Sequence, residues 1–140
     1  MKANAILLML IAVLLAGVCV ASENDVQTAA AQQAATSWLA LTDSGSYSQS
    51  WDQAAQVFKD AVTKEEWAQA LSTVRARLGK VVSRKLKSAT YTTSIPGEPD
   101  GQYVVIQYET SFENKATATE TVTPTMEKDG QWRVSGYYIH

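Results

Sequence analysis

Apolar residues at three-and-four spacing mark three stretches that follow the N-terminal apolar run, and each stretch predicts an amphipathic helix. The first ends at Gly45, a residue suited to the left-handed conformation that closes helices. Ser46 with Gln49, and Thr63 with Glu66, have the form of capping boxes that begin the second and third helices. The three stripes contain Val26, Ala29, Ala30, Gln33, Ala34, Ser37, Trp38 and Leu41; Tyr47, Trp51, Ala54, Ala55, Phe58 and Val62; and Trp67, Ala70, Leu71, Val74 and Leu78.

From Lys80 onward the apolar period changes to two, which predicts β-strands. Strands are expected over 81–93, 103–112 and 116–126, and the last of these carries a row of threonines on one face. Glu120 interrupts the apolar row on the other face of that strand. A solvent-exposed edge position is the expected explanation for this charge.

The dipeptide Asp129-Gly130 predicts a two-residue hairpin turn into the last strand. Trp132, Val134 and Tyr138 share one face of that strand. Helices that precede the strands, without alternating with them, indicate the α+β class. We therefore expect three N-terminal helices packed on one face of a curved four-stranded antiparallel sheet.

Residues 1–22 have the layout of an export signal: one lysine, an uncharged apolar stretch and then small residues. Cleavage before Ser22 or Glu23 fits the small side chains that signal peptidases accept. Two alternatives stay open. One is lipidation of Cys19, and the other is an uncleaved anchor, because the apolar run reaches the lower edge of a membrane span. In each case residues 23–140 form one domain in the periplasm or outside the cell.

Composition argues against several classes of function. The chain has 12 Lys and Arg against 14 Asp and Glu, a mildly acidic balance that disfavours nucleic-acid binding. Its one cysteine lies in the export signal, so the domain has neither a disulfide nor a thiolate nucleophile. Its one histidine is the final residue, His140, which disfavours catalytic triads and most zinc sites. We expect neither a cofactor nor a metal.

Four segments carry a family resemblance: SWLALTDSGSYSQSWDQAAQVFK, TKEEWAQALSTVRARLG, GQYVVIQYETSFENKA and GQWRVSGYYI. They resemble a bacterial exported family catalogued as domain of unknown function 4019, over residues 28–140. The resemblance is specific because of its tryptophans, Trp38, Trp51, Trp67 and Trp132. That family is similar to the NTF2-like, cystatin-like group, in which helices fold against a bent sheet to make a cone with an internal pocket. The resemblance thus implies an NTF2-like cone and offers no catalytic residues.

Two groups of side chains are candidates for binding. The aromatic residues either pack in the core or line the mouth of a pocket for an apolar or sugar ligand; the candidates are Trp38, Trp51, Trp67, Tyr108 and Tyr138. The basic residues either form a patch for an anionic envelope component or an acidic partner, or they cap a helix end and line a solvated strand. The basic candidates are Arg75, Arg77, Lys80, Arg84, Lys85 and Lys87.

We expect a non-catalytic binding or interaction module of the bacterial cell envelope, whose partner is a small ligand or an envelope protein. The alternative is a cofactor-free isomerase or hydratase, in which a carboxylate of raised pKa works with a tyrosine inside an apolar cone. Its candidates are Tyr47, Asp52, Tyr108, Glu109, Glu120 and Tyr138. This alternative needs a carboxylate and a tyrosine hydroxyl to converge in a cavity on the order of a few hundred Å³. A homodimer through the outer sheet face is a third possibility, implied by the resemblance.

Overall fold

The computed structural model describes residues 21–140. Residues 1–20, which hold most of the expected export signal and Cys19 with its alternative of lipidation, lie outside the described residues. The elements are α1 (Glu23–Asp43), α2 (Tyr47–Asp52), α3 (Gln56–Ala61), α4 (Lys64–Leu78), β1 (Val81–Thr92), β2 (Tyr103–Phe112), β3 (Lys115–Met126) and β4 (Trp132–Ile139). The strands form one antiparallel sheet in the order β1-β2-β3-β4. The α+β class and the four-stranded sheet are thus confirmed, while the described residues form four helices instead of three.

Local capping signals set the ends of the two long helices. The Ser22 hydroxyl accepts a hydrogen bond from the Asp25 N–H at 3.2 Å, which satisfies a free donor in the first turn of α1. At the start of α4, Thr63 and Glu66 make both hydrogen bonds of the capping box. The chain leaves α1 through Gly45 at φ +78°, in the conformation expected for that glycine. By contrast, Ser46 makes no side-chain cap at the start of α2.

The expected second helix is two short helices, α2 and α3, that meet at Ala54 and Ala55. Both alanines are buried. Ala55 has an extended backbone, and its N–H donates to the carbonyl of Val134 in β4 at 2.8 Å. That N–H would bond within the helix if the helix continued. The break therefore lets the chain dock onto β4, a tertiary contact that the apolar spacing does not reveal.

Helix α1 lies across the inner face of the sheet, but the stripe that it buries differs from the expected one by about one residue. The buried residues of α1 are Ala31, Ala35, Trp38, Leu39 and Thr42, whereas Val26 is 57% exposed. Alanines on several faces of the helix made the position of the stripe ambiguous in the sequence. The buried stripe packs against the apolar inner row of the sheet, which includes Val104, Ile106, Val122 and Val134.

A β-bulge in β4 reverses the expected directions of its last side chains. Thr123 pairs with Gly136 and Pro124 pairs with Val134, so Ser135 is an extra residue in β4. Tyr137 therefore turns toward the helices, and Tyr138 is 65% exposed on the outer face. The expectation that Tyr138 shares the inner face with Val134 was wrong.

The hairpin before β4 is one residue longer than expected. The Glu127 N–H donates to the Gln131 carbonyl at 2.9 Å, and the Gly130 N–H donates to the Glu127 carbonyl at 3.0 Å. Three residues, 128–130, therefore form the loop, and Gly130 takes a left-handed conformation at φ +81°. The glycine fulfils the expected local role in a turn of a different length.

Candidate functional site

Glu120 is fully buried, at 0% exposure, so the expectation of a solvent-exposed edge position was wrong. Strand β3 lies between β2 and β4 and has no free edge there. Glu120 points to the inner face and meets polar groups from several elements. We call this group the buried charge cluster; its members are Asp43, Arg75, Arg84, Thr110, Glu120 and Tyr137.

Arg84 is the main partner of the Glu120 carboxylate. Its Nε donates to Oε1 at 2.7 Å, and its Nη2 donates to Oε2 at 3.2 Å. The Thr110 hydroxyl donates to Oε1 at 2.5 Å, and the Tyr137 hydroxyl donates to Oε2. The register places Arg84 directly opposite Thr110 across β1 and β2, which brings both groups to the same carboxylate. Glu120 thus accepts charge-assisted hydrogen bonds from three strands, and two of these bonds come from the one guanidinium of Arg84.

Asp43, at the end of α1, links Arg84 of β1 to Arg75 of α4. Its carboxylate accepts hydrogen bonds from Arg84 Nη1 at 2.7 Å and from Arg75 Nη2 at 2.9 Å. Burial alone would raise the pKa of Asp43, but the hydrogen bonds and charges of Arg84 and Arg75 outweigh burial and lower it. Arg75, on α4, also lies 3.9 Å from the Glu120 carboxylate. The cluster therefore joins α1 and α4 to all four strands.

The buried charge cluster is a network of ion pairs whose side chains hold one another in place. The Glu120 oxygens are occupied by donors, and no part of this side chain reaches solvent. Burial raises the pKa of the Tyr137 hydroxyl, and the nearby Glu120 charge raises it further, so Tyr137 stays protonated and donates. A substrate would have to displace Arg84 to reach the carboxylate. The carboxylate and tyrosine do converge, but Glu120 is fully buried behind its donors, whereas a general base must be within reach of the substrate.

Asp43 gives the fold a specific dependence on pH. Its pKa is lower in the folded protein than in the unfolded chain, where it is about 3.9. Between these pKa values the unfolded chain binds more protons, so the stabilisation is complete above about pH 4 and is lost as the pH falls through the folded pKa. We expect the difference in unfolding free energy between the wild type and Asp43→Asn to be larger at pH 7 than at pH 3. Urea denaturation at the two pH values tests this. An equal difference at both would contradict it.

Aromatic side chains pack between the helices and β4, beside a cleft of about 390 Å³ that Trp38, Trp132 and Val134 help to line. The centroid of the Trp38 ring lies 5.2 Å from that of Tyr137 and 6.0 Å from that of Trp67, and Phe58 packs edge-on against Trp67 at 4.8 Å. The Trp38 N–H donates to the Ser50 carbonyl at 2.8 Å, and the Trp67 N–H donates to the Ser50 hydroxyl at 2.9 Å. The rings of Trp38 and Trp67 thus contact other aromatic rings, and their N–H groups already have hydrogen-bond acceptors within the protein.

The five aromatic pocket candidates do not line one common pocket. Trp51 is partly buried, and its N–H donates to the Val62 carbonyl at 2.8 Å. Tyr108 is 7% exposed in the core, and burial raises its pKa. Tyr138 lies on the opposite face of the sheet, as the bulge dictates. Trp38 and Trp67 belong to the aromatic cluster described above.

The structure divides the six basic candidates among three places. Arg75 and Arg84 lie inside the buried charge cluster, so their expected roles in an exposed patch or a solvated strand were wrong. Lys85 and Lys87 line a shallow hollow of about 400 Å³ on the outer face, together with Glu109. The other two, Arg77 and Lys80, are exposed near the end of α4.

The remaining candidates for acid–base chemistry are dispersed. Asp52 pairs with Lys64 at 2.7 Å, and Glu109 is exposed on the outer face, directly across from Lys85. Tyr47 lines a cleft of about 320 Å³ at the edge of the buried charge cluster, and Asp43 and Arg75 of that cluster line the same cleft. Residues 21–140 contain no cluster of three or more His, Cys, Asp or Glu side chains suited to a metal ion. No helix in the same range is long and apolar enough to cross a membrane.

A cleft of about 660 Å³ lies on the outer face of the sheet; we call it the outer cleft. It is formed by helix α3, the β1–β2 loop (residues 93–102), Tyr103 at the start of β2, the outer faces of β3 and β4, and the turn between those two strands. Its lining includes Val57, Ile95, Glu98, Asp100, Met126 and Tyr138. Apart from Tyr138, none of these residues is a candidate in the sequence. The one sequence signal for part of this lining is the segment PGEPDG at 96–101, whose composition is typical of a connecting loop.

The β1–β2 loop is held in place by its own hydrogen bonds. The Gly101 N–H donates to the Thr93 carbonyl at 3.1 Å, and the Met126 N–H donates to the Gln102 carbonyl at 3.0 Å. The Tyr103 hydroxyl donates to the Pro99 carbonyl at 2.5 Å. These contacts fix one wall of the outer cleft, so a partner meets a wall that is already ordered.

Comparisons with known proteins support the fold and leave the activity open. The model of the family described as "Protein of unknown function (DUF4019)" matches residues 34–137. A 2.5 Å structure of a protein from Catenulispora acidiphila is similar, with a TM-score of 0.55 and 12% identity, over 82% of this chain and 91% of that one. No curated protein matches. At this identity the structural likeness concerns the fold alone.

Proposed function

Because the chain belongs to the DUF4019 family, to which no activity is attached, we propose from its geometry that it is an exported, non-catalytic binding module of the bacterial cell envelope. The observation that carries this proposal is the outer cleft of about 660 Å³, in contrast to the fully buried carboxylate of Glu120. A volume of this size is typical of binding sites. We further infer that the domain belongs to the NTF2-like, cystatin-like group, since helix α1 packs across an antiparallel four-stranded sheet.

The hydrogen bonds that the Glu120 carboxylate already accepts favour binding over catalysis. A cofactor-free isomerase or hydratase would use the buried carboxylate and a tyrosine on a bound substrate. Here that carboxylate, Glu120, already accepts hydrogen bonds from Arg84, Thr110 and Tyr137. The exposed acids Asp52 and Glu109, in turn, face solvent and not an apolar pocket. The isomerase or hydratase therefore stays the second choice, and a small ligand or an envelope protein in the outer cleft is the first.

Site-specific crosslinking in living cells tests the proposed function. A photo-crosslinking phenylalanine analogue replaces Tyr138 in the outer cleft, and in a control it replaces Val82, which is equally exposed at 67% but lies on β1. We expect the protein in the periplasmic or secreted fraction, with an adduct of defined mass from position 138 only. The added substitution Val57→Asp in the cleft should abolish that adduct.

Three results would contradict the proposal: a cytoplasmic location, equal adducts from both positions, or no adduct from either. An adduct of twice the mass of the chain would identify a second copy as the occupant. That result would replace the envelope partner by a homodimer.

A further inference from the structure

We infer that the outer cleft binds an extended peptide segment in which a lysine or arginine alternates with apolar residues. This inference rests on the proposed binding function and specifies the chemistry of the partner. It follows from the charge at the mouth of the cleft, from the apolar surface inside it and from the rigidity of its wall.

The mouth of the cleft carries negative charge that the protein itself does not neutralise. Glu98 and Asp100 are exposed on the β1–β2 loop and form no salt bridge with any residue in 21–140. By contrast, Glu127, also in the lining, is paired with Arg133 at 2.8 Å. Lys128 is the one cation among the lining residues. A partner with positive charge would thus meet two free carboxylates.

The effect of these carboxylates on Tyr103 supports this view of the local field. Burial raises the pKa of the Tyr103 hydroxyl, and the charges of Glu98 and Asp100 raise it further. Tyr103 lines the same cleft. Both carboxylates therefore lie close enough to the cleft to affect a group that lines it.

Apolar side chains lie in the same cleft. Tyr138 is 65% exposed and Val57 is 46% exposed, and Ile95 and Met126 are partly buried beside them. The bulge at Ser135 aims Tyr138 into this cleft, because without the extra residue that ring would lie on the inner face. An exposed tyrosine offers a partner both apolar contact and a π face for a cation.

An extended peptide satisfies both kinds of surface at once. Its successive side chains point in opposite directions, so alternate residues reach the carboxylate rim and the apolar lining. The lining residues come from several separate segments of the chain, which suits a ligand that extends across them. Because the loop is already hydrogen-bonded, binding does not have to order it.

Fluorescence anisotropy with three labelled hexapeptides tests the inference on the purified protein. The probes are Lys-Leu-Lys-Leu-Lys-Leu, Glu-Leu-Glu-Leu-Glu-Leu and Lys-Ser-Lys-Ser-Lys-Ser. We expect the first to bind and the other two to bind at least about tenfold more weakly, because each lacks one of the two complementary features. The double variant Glu98→Gln/Asp100→Asn should weaken the first peptide by about fivefold or more. Tyr138→Ala should weaken it by about tenfold.

A second double variant controls for the loss of two charges. Glu65→Gln/Glu109→Gln removes two exposed carboxylates outside the outer cleft and should change affinity less than about twofold. Equal binding of the Glu-Leu peptide, an equal effect of the two double variants, or no binding of the Lys-Leu peptide would overturn the inference. The crosslink from position 138 decides separately whether the cleft binds a partner, so the two failures are distinguishable.

Discussion

Replacing Glu120 by alanine should lower the free energy of unfolding by about 3–5 kcal/mol, the cost of breaking a buried ion pair by removing one partner. The substitution leaves the Arg84 guanidinium beside an empty site, and the hydroxyls of Thr110 and Tyr137 lose their acceptor. Urea denaturation at pH 7 measures the change. The control is Glu109→Ala, which removes an exposed carboxylate from the outer face and should change stability by about 0.5 kcal/mol or less.

A double-mutant cycle shows whether the loss comes from the unpaired charge. Glu120→Leu/Arg84→Leu removes both charges and leaves one arginine, Arg75, paired with one carboxylate, Asp43. It should be more stable than Glu120→Leu alone, in which Arg75 and Arg84 share that single carboxylate. A loss below about 1 kcal/mol for Glu120→Ala would contradict the view that this carboxylate holds the sheet and the helices together. So would a double variant that is less stable than Glu120→Leu.

Adjacent tyrosines in β4 should respond very differently to truncation. Tyr137→Ala should lower the unfolding free energy by about 3 kcal/mol, since it opens a gap beside Trp38 and Trp67 and removes a donor to Glu120. Tyr138→Ala should change it by about 0.5 kcal/mol or less, because that ring is 65% exposed. The two variants lose the same atoms, so each is the matched control for the other.

Thermal or urea unfolding of the two variants, side by side, makes this comparison. The alternation read from the sequence places Tyr138 inside and so predicts the opposite order. If Tyr138→Ala were the more damaging substitution, the bulge at Ser135 and the outer cleft that depends on it would both be wrong.

The elements that could be predicted from the sequence depend on interactions close along the chain. Thr63 and Glu66 are three residues apart and cap α4 as expected. The alternating faces of β2 and β3 follow directly from the two-residue period of a strand. Gly45 ends α1 because its φ of +78° suits a residue without a side chain.

The features that could not be predicted depend on groups far apart in the sequence. The helix breaks at Ala55 because the Ala55 N–H donates to the Val134 carbonyl in β4. The bulge at Ser135 depends on the way β4 pairs with β3. Glu120 is buried because Arg84, 36 positions away, neutralises it. A charge on an apolar row indicates either an exposed edge or a buried partner, and local pattern alone does not distinguish them.

Taken by itself, the sequence determined the α+β class, the four strands and the residues that end the long helices, because short-range hydrogen bonding and side-chain periodicity set these features. The tertiary structure alone decided which tyrosine of β4 is buried, where Glu120 finds its counter-charge and where the outer cleft lies. Each of these depends on strand register and on the approach of distant segments. The cleft is the clearest case, since Val57, Asp100 and Tyr138 become neighbours in one lining only when the sheet is assembled.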